Sequence, residues 1–192
     1  TVNSSDFINN GAGWGGAIST VGLGKLKVSN SFFNGNSANS WDFASDPDFP
    51  TYGGGGAIYQ EFADTLHVIN TTFTVNSASA GTGGAIASYH GGEVILDDLV
   101  LGTNSSAGGG GAFTALRPDN VMFTNSILEN NQSQTNSGGG AFIGSESNDA
   151  SITVPGLLSH LTFINNYAQV GGGGLFVWTT VDFDIIHCTF VG

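Results

Sequence analysis

Residues 53–81 read GGGGAIYQEFADTLHVINTTFTVNSASAG. Four glycines run into Ala57-Ile58, and sixteen residues after that alanine comes Phe73-x-x-Asn76. Either tetrapeptide alone is uninformative, but both return along the chain. Gly-Gly followed by two apolar residues stands at Gly15-Gly16-Ala17-Ile18, Gly55-Gly56-Ala57-Ile58 and Gly83-Gly84-Ala85-Ile86. It stands again at Gly110-Gly111-Ala112-Phe113, Gly139-Gly140-Ala141-Phe142 and Gly173-Gly174-Leu175-Phe176. Interleaved with it are Phe7-x-x-Asn10, Phe33-x-x-Asn36, Phe73-x-x-Asn76, Leu101-x-x-Asn104, Leu128-x-x-Asn131 and Phe163-x-x-Asn166, with Phe190 opening a seventh copy.

The separation of the two signatures is sixteen residues in four repeats, from Ala17 to Phe33, Ala57 to Phe73, Ala85 to Leu101 and Ala112 to Leu128. The fifth repeat stretches it to 22 and the sixth reads 15. Between the signatures apolar residues alternate, as at Leu26 and Val28, Leu66 and Val68, Val94 and Leu96, Val121 and Phe123, which turns one face of a strand inward. Three residues before each Phe or Leu stands a polar residue: Ser4, Asn30, Asn70, Asp98, Asn125, His160, His187.

A period of about 27 residues, with short strands, glycine corners and no helical periodicity, predicts an all-β fold, a parallel β-solenoid of about six coils. Coils stacked at about 4.8 Å bring equivalent residues onto one another. Ile18, Ile58, Ile86, Phe113, Phe142 and Phe176 are then one interior stack, and the Phe/Leu positions another. Asn10, Asn36, Asn76, Asn104, Asn131 and Asn166 form a structural ladder, each amide bonding to the coils on either side. The paired glycines are corners, where the chain needs φ > 0 and close backbone approach. A phosphate-cradling loop would need a helix N-terminus behind it and a lysine, and neither follows.

Gly-Gly-Ala-Ile paired with Phe-x-x-Asn resembles the polymorphic outer-membrane protein repeat of chlamydial surface proteins, over nearly the whole chain. Leu101 and Leu128 stand where that pattern has Phe, and Leu175 where it has Ala. The resemblance implies a right-handed parallel β-helix, of the kind found in autotransporter passengers and surface adhesins, at an extracellular or cell-surface location.

Composition narrows the function. Of 192 residues only 9% are charged, net charge is −12, and Lys25, Lys27 and Arg117 are the fixed cations. No basic footprint for phosphates exists, which speaks against nucleic acid and anionic surfaces as partners. No apolar run reaches membrane-spanning length. One cysteine, Cys188, makes neither a disulfide nor a zinc cluster and reads as a small core residue.

Chemistry in solenoids sits in loops that interrupt the coil. The chain reads as one β-helix domain, 1–192, with insertions at 37–53 and 144–156. The first carries Trp41, Asp42, Phe43, Asp46, Asp48, Phe49 and Tyr52. Of these, Trp41, Asp42, Asp46, Asp48 and Tyr52 are the candidate ligand-binding residues, fit for Ca²⁺ or for a sugar ring stacked between aromatics. The bland alternative is that the aromatics fold the loop against the solenoid while the aspartates are solvated. The spacing is not that of an EF-hand, and no other cofactor or metal is called for.

No catalytic residue is assigned. Glycoside hydrolysis needs two carboxylates facing one another. Asp97 and Asp98, adjacent on a strand, should point to opposite faces, and Asp98 falls in the polar ladder; Asp182 and Asp184 are a second pair. A lyase would further want cations for an acidic polymer. His160 and His187 share one ladder and either bond as asparagine does or share a metal, whereas His67 and His90 show no partner. Threonines are too scattered for the flat ranks of an ice-binding face.

The reading is a non-catalytic surface module (adhesin, stalk or filament subunit) with a host-cell or glycan ligand. The alternative is a carbohydrate-binding or polysaccharide-degrading β-helix. The chain starts inside one repeat and stops inside another, which predicts either part of a longer array or subunits associating end to end through open β-edges.

Overall fold

A computed structural model of the chain describes residues 1–22, 24–39, 53–145, 153–178 and 181–192. Every regular element among them is a strand, and every registered pairing is parallel, to a strand one coil away. The strands assemble into sheets of twelve, six and six, running the length of a β-solenoid. Each coil visits them in turn: a long strand such as Lys25–Ser29 with its continuation Phe32–Asn34, then Ser37–Ala38 in the second sheet, then Ile58–Glu61 in the third. Stretches read as insertions overlap regular strand, since Ser37–Ala38, Ala141–Gly144 and Val154–Ser159 all pair in register.

The bore is filled by rows. Leu66, Val94 and Val121 stack in one, Val68, Leu96 and Phe123 in the next, all fully buried. The signature Phe positions form a third, with ring centroids 4.6 Å apart for Phe7–Phe33, 4.8 Å for Phe33–Phe73 and 4.6 Å for Phe163–Phe190, the ring planes nearly parallel in each case. The coil spacing, rather than the rings' own preference for offset contact, sets that distance. Leu101 and Leu128 occupy the same row as aliphatic fillers.

One expected row is corrected. Phe113 pairs with Ala141 and Ala141 with Leu175, so the stack from Ile18 continues into Ala141 and Leu175, not into Phe142 and Phe176. The paired glycines of coils five and six are Gly138-Gly139 and Gly172-Gly173, with a third glycine in the alanine position. A slip of one residue exchanges the two faces of a strand. Phe142 and Phe176 therefore join Tyr59, Tyr89, Leu116, Trp14 and Trp178 in a separate cluster outside the bore. The corrected phase also puts Phe190 sixteen residues after Gly174, the spacing of the early coils.

The two glycines of each corner serve different ends. The first of each pair, Gly15, Gly55, Gly83, Gly110, Gly138 and Gly172, has φ between +53° and +72°. The second is needed for space: a Cβ on Gly84 would lie 2.1 Å from the Gly111 carbonyl oxygen and 2.5 Å from that of Ser105. Corners on the other side use left-handed non-glycine residues. The polar row Ser4, Asn30, Asn70, Asp98, Asn125, His160 and His187 has φ from 45° to 54° throughout. Asparagine and aspartate tolerate that region better than most residues, because their side chains bond locally.

The asparagine ladder is complete. Asn76 accepts at Oδ1 from the backbone N–H and the side-chain amide of Asn36, at 3.0 and 2.9 Å, and donates its own two groups to Asn104 Oδ1, both at 3.0 Å. Asn104 repeats this toward Asn131, which repeats it toward Asn166. Each amide sends its second hydrogen to the carbonyl of the preceding coil's Phe or Leu, as Asn104 does to Phe73 at 3.0 Å. The chain separation between rungs varies over 26, 40, 28, 27 and 35 residues while the bonds do not change. The ladder thus keeps one register across chain segments of different length.

Two measurements check these assignments. Gly84→Ala should lower stability by about 3 kcal/mol or more, a Tm drop of roughly 6–12 °C for a chain of this size, by calorimetry. Asn104→Ala strips the acceptor from two buried donors of Asn76 and the donor from Phe73, and should cost about 3–5 kcal/mol in denaturant unfolding. Exposed Gln134→Ala should stay within about 0.5 kcal/mol in the same assay.

Candidate functional site

Ionisable and aromatic side chains converge most closely on the outer face of the third sheet. Tyr59 and Glu61 lie on one strand, and Tyr89 pairs with Glu61 one coil on. The Tyr59 hydroxyl donates to Glu61 Oε2 at 2.8 Å, and Glu61 Oε1 lies 3.4 Å from His90 Nδ1, a charge contact when the imidazole is protonated. Tyr89, fully buried, shares a hydrogen bond with the Thr82 hydroxyl and donates to the Gly53 carbonyl at 3.4 Å. Burial first, then the Glu61 carboxylate, drives the Tyr59 phenol far above its ordinary range, and burial does the same to Tyr89. Both phenols stay neutral and act as donors. Phe62 and His90 hold left-handed corner positions one coil apart, with rings stacked at 4.9 Å. Trp14 stacks on Tyr59 at 5.6 Å. Such a surface suits an aromatic face with a flanking carboxylate.

Trp41, Asp42, Asp46, Asp48 and Tyr52 lie outside the described residues. Asp97 and Asp98 are placed, and the expectation of opposite faces fails. The left-handed turn at Asp98 resets the alternation: Asp98 is exposed, Asp97 half-buried on the same outer side, and Leu99 returns inward. Asp97 Oδ1 accepts from Thr124 Oγ1 at 2.6 Å and from the Asn125 amide at 2.8 Å. The Thr124 bond, more than any other influence, holds its carboxyl below the usual carboxylate range. Asp182 and Asp184 alternate on one strand, both exposed.

His160 and His187 come together, with ring centroids 5.0 Å apart at an angle of 46°. Among the described residues no group of three His, Cys, Asp or Glu is close enough to hold a metal ion. Cys188 packs against the core and its thiol faces the Leu158 and Ile186 carbonyls, each at 3.5 Å. Sequence reasoning missed the pairing of His90 with Glu61. The signal was available, because Glu61 and Tyr89 are 28 residues apart in the same phase of the repeat.

Stacked parallel coils, a bore filled by buried apolar rows and side chains bonded coil to coil define a β-solenoid repeat protein. The Chlamydia polymorphic membrane protein repeat matches at residues 4–21, 30–61 and 160–177, and the chain carries repeats of that family. No curated protein and no solved structure matches the chain.

The Asp97 environment gives a titration test. A carboxyl whose folded pKa is depressed contributes stability above its unfolded pKa and loses it as pH falls through the folded value. In Thr124→Val the Asp97 midpoint, followed by carboxyl NMR, should move up toward the ordinary carboxylate value, and Asp97's share of the stability lost on acidification should shrink.

Proposed function

We propose that this chain is a non-catalytic, extracellular or cell-surface β-solenoid module with a structural or adhesive role: adhesin, stalk or filament subunit. One observation carries the reading. Outside the Tyr59–Glu61–His90 cluster, polar side chains such as Asp97 and the ladder asparagines are spent on coil-to-coil bonds. The family of the repeat supports the surface location. A glycan or host-cell ligand fits better than a polyanion, given −12 net charge and three fixed cations. The first and last coils of these residues present strand edges on which a further coil, of the same chain or of a second copy, can pair.

The cluster of Tyr59, Glu61, Phe62, Tyr89 and His90 favours a second reading, in which the solenoid binds or cleaves a carbohydrate. In that reading Trp41, Asp42, Asp46, Asp48 and Tyr52, which lie outside the described residues, are separate ligand candidates, with Ca²⁺ as the one ion they suit.

A panel of neutral and acidic polysaccharides separates the two. The surface-module reading expects binding without release of reducing ends or unsaturated products, weakened at least about tenfold by Trp41→Ala. Product release abolished by Asp98→Ala would replace it with an enzyme.

A further inference from the structure

The outer face of the long sheet carries an arrangement of charge that the surface-module reading does not use. Its rows run along the solenoid axis. One row is Lys27, His67, Ile95, Met122, Leu157 and Asp184, each registered on the next. Its neighbour runs from Lys25 through Thr65, Glu93 and Asn120 to Pro155 and Asp182. The chain has two lysines, and both stand at one end of these rows. Two aspartates stand at the other end of the same rows. Lys25, Lys27, Asp182 and Asp184 are all exposed, and between them the first row is apolar at Ile95, Met122 and Leu157, with Met122 37% exposed.

We propose that this face docks a second copy of the chain, antiparallel and face to face. Turn the copy about a two-fold axis that lies along the strands, midway between the coils of Ile95 and Met122. Coil order reverses while rows are kept. Lys25 then meets the partner's Asp182 and Lys27 the partner's Asp184, twice over by symmetry. Ile95 meets the partner's Met122. Glu93 falls opposite an asparagine amide (Asn120) and Asp97 opposite a hydroxyl (Thr124), so no carboxylate faces another.

Five coil spacings of about 4.8 Å by five residues of about 3.3 Å give a face of roughly 16 by 24 Å. That is small for a stable dimer, so the pair is weak and concentration-dependent. Complementary charge sets its register more than its affinity.

Sedimentation velocity over a concentration series tests it. The expected result is a closed monomer–dimer equilibrium. Met122→Glu lies in the middle of the described coils and should weaken the dimer more than about tenfold with unchanged circular dichroism and Tm. Lys25→Glu with Lys27→Glu, and separately Asp182→Lys with Asp184→Lys, should each sediment as monomer, and an equimolar mixture of the two should restore a dimer. A monomer at every concentration overturns the proposal. So does an open-ended series of species unchanged by Met122→Glu, which is end-to-end stacking.

Discussion

The amide of one inward asparagine per coil, bonded to the asparagine of the next coil, is the interaction on which the rest of the solenoid depends. Asn36, Asn76, Asn104 and Asn131 are buried to 1% exposure or less, so their groups must be bonded within the protein or cost about 1–3 kcal/mol each. Only another asparagine at the same height satisfies the backbone N–H, the side-chain amide and the side-chain oxygen at once. The ladder therefore locks each coil to one register with its neighbours. Apolar rows alone would not do this, because Val, Leu and Phe gain nearly as much from burial one residue out of place.

Much of this was legible, for a physical reason. In-register parallel stacking puts chemically equivalent positions in contact, so a repeat in sequence is a contact list in space. The Phe, Val/Leu and Asn rows follow from it directly. The phase of the last two coils did not, because Gly138 to Gly140 is a run of three and Gly171 to Gly174 a run of four, in which any adjacent pair satisfies a two-glycine motif. Backbone torsion, which a run of identical letters conceals, decides which glycine turns.

The candidate site was less legible. Tyr59 and Tyr89 read as alternating strand residues whose outward face should be wet, yet both are buried outside the bore. Outward burial depends on what lies across the surface, and no periodicity encodes that. Val75 and Thr103 are similar: β-branched residues disfavour φ > 0, yet both take it because the neighbouring coils hold that corner.

Stacking also accounts for the scarcity of charge. A row of like charges at about 4.8 Å costs close to 1 kcal/mol per contact even at the dielectric of water. Among the registered strand pairs no carboxylate lies on a carboxylate and no lysine on a lysine. Glu93 sits between Thr65 and Asn120, Asp97 between Ile69 and Thr124, and Glu129 between Gly102 and Ile164. Glu61 lies between Val21 and Tyr89, and Asp184 on Leu157. The fold thus admits a charge only where both neighbouring coils are neutral. A composition of asparagine, serine, threonine and glycine with 9% charged residues is what that rule leaves. Under the same rule a charge cannot be balanced along its own row, and its counter-charge has to come from a neighbouring row or from another molecule.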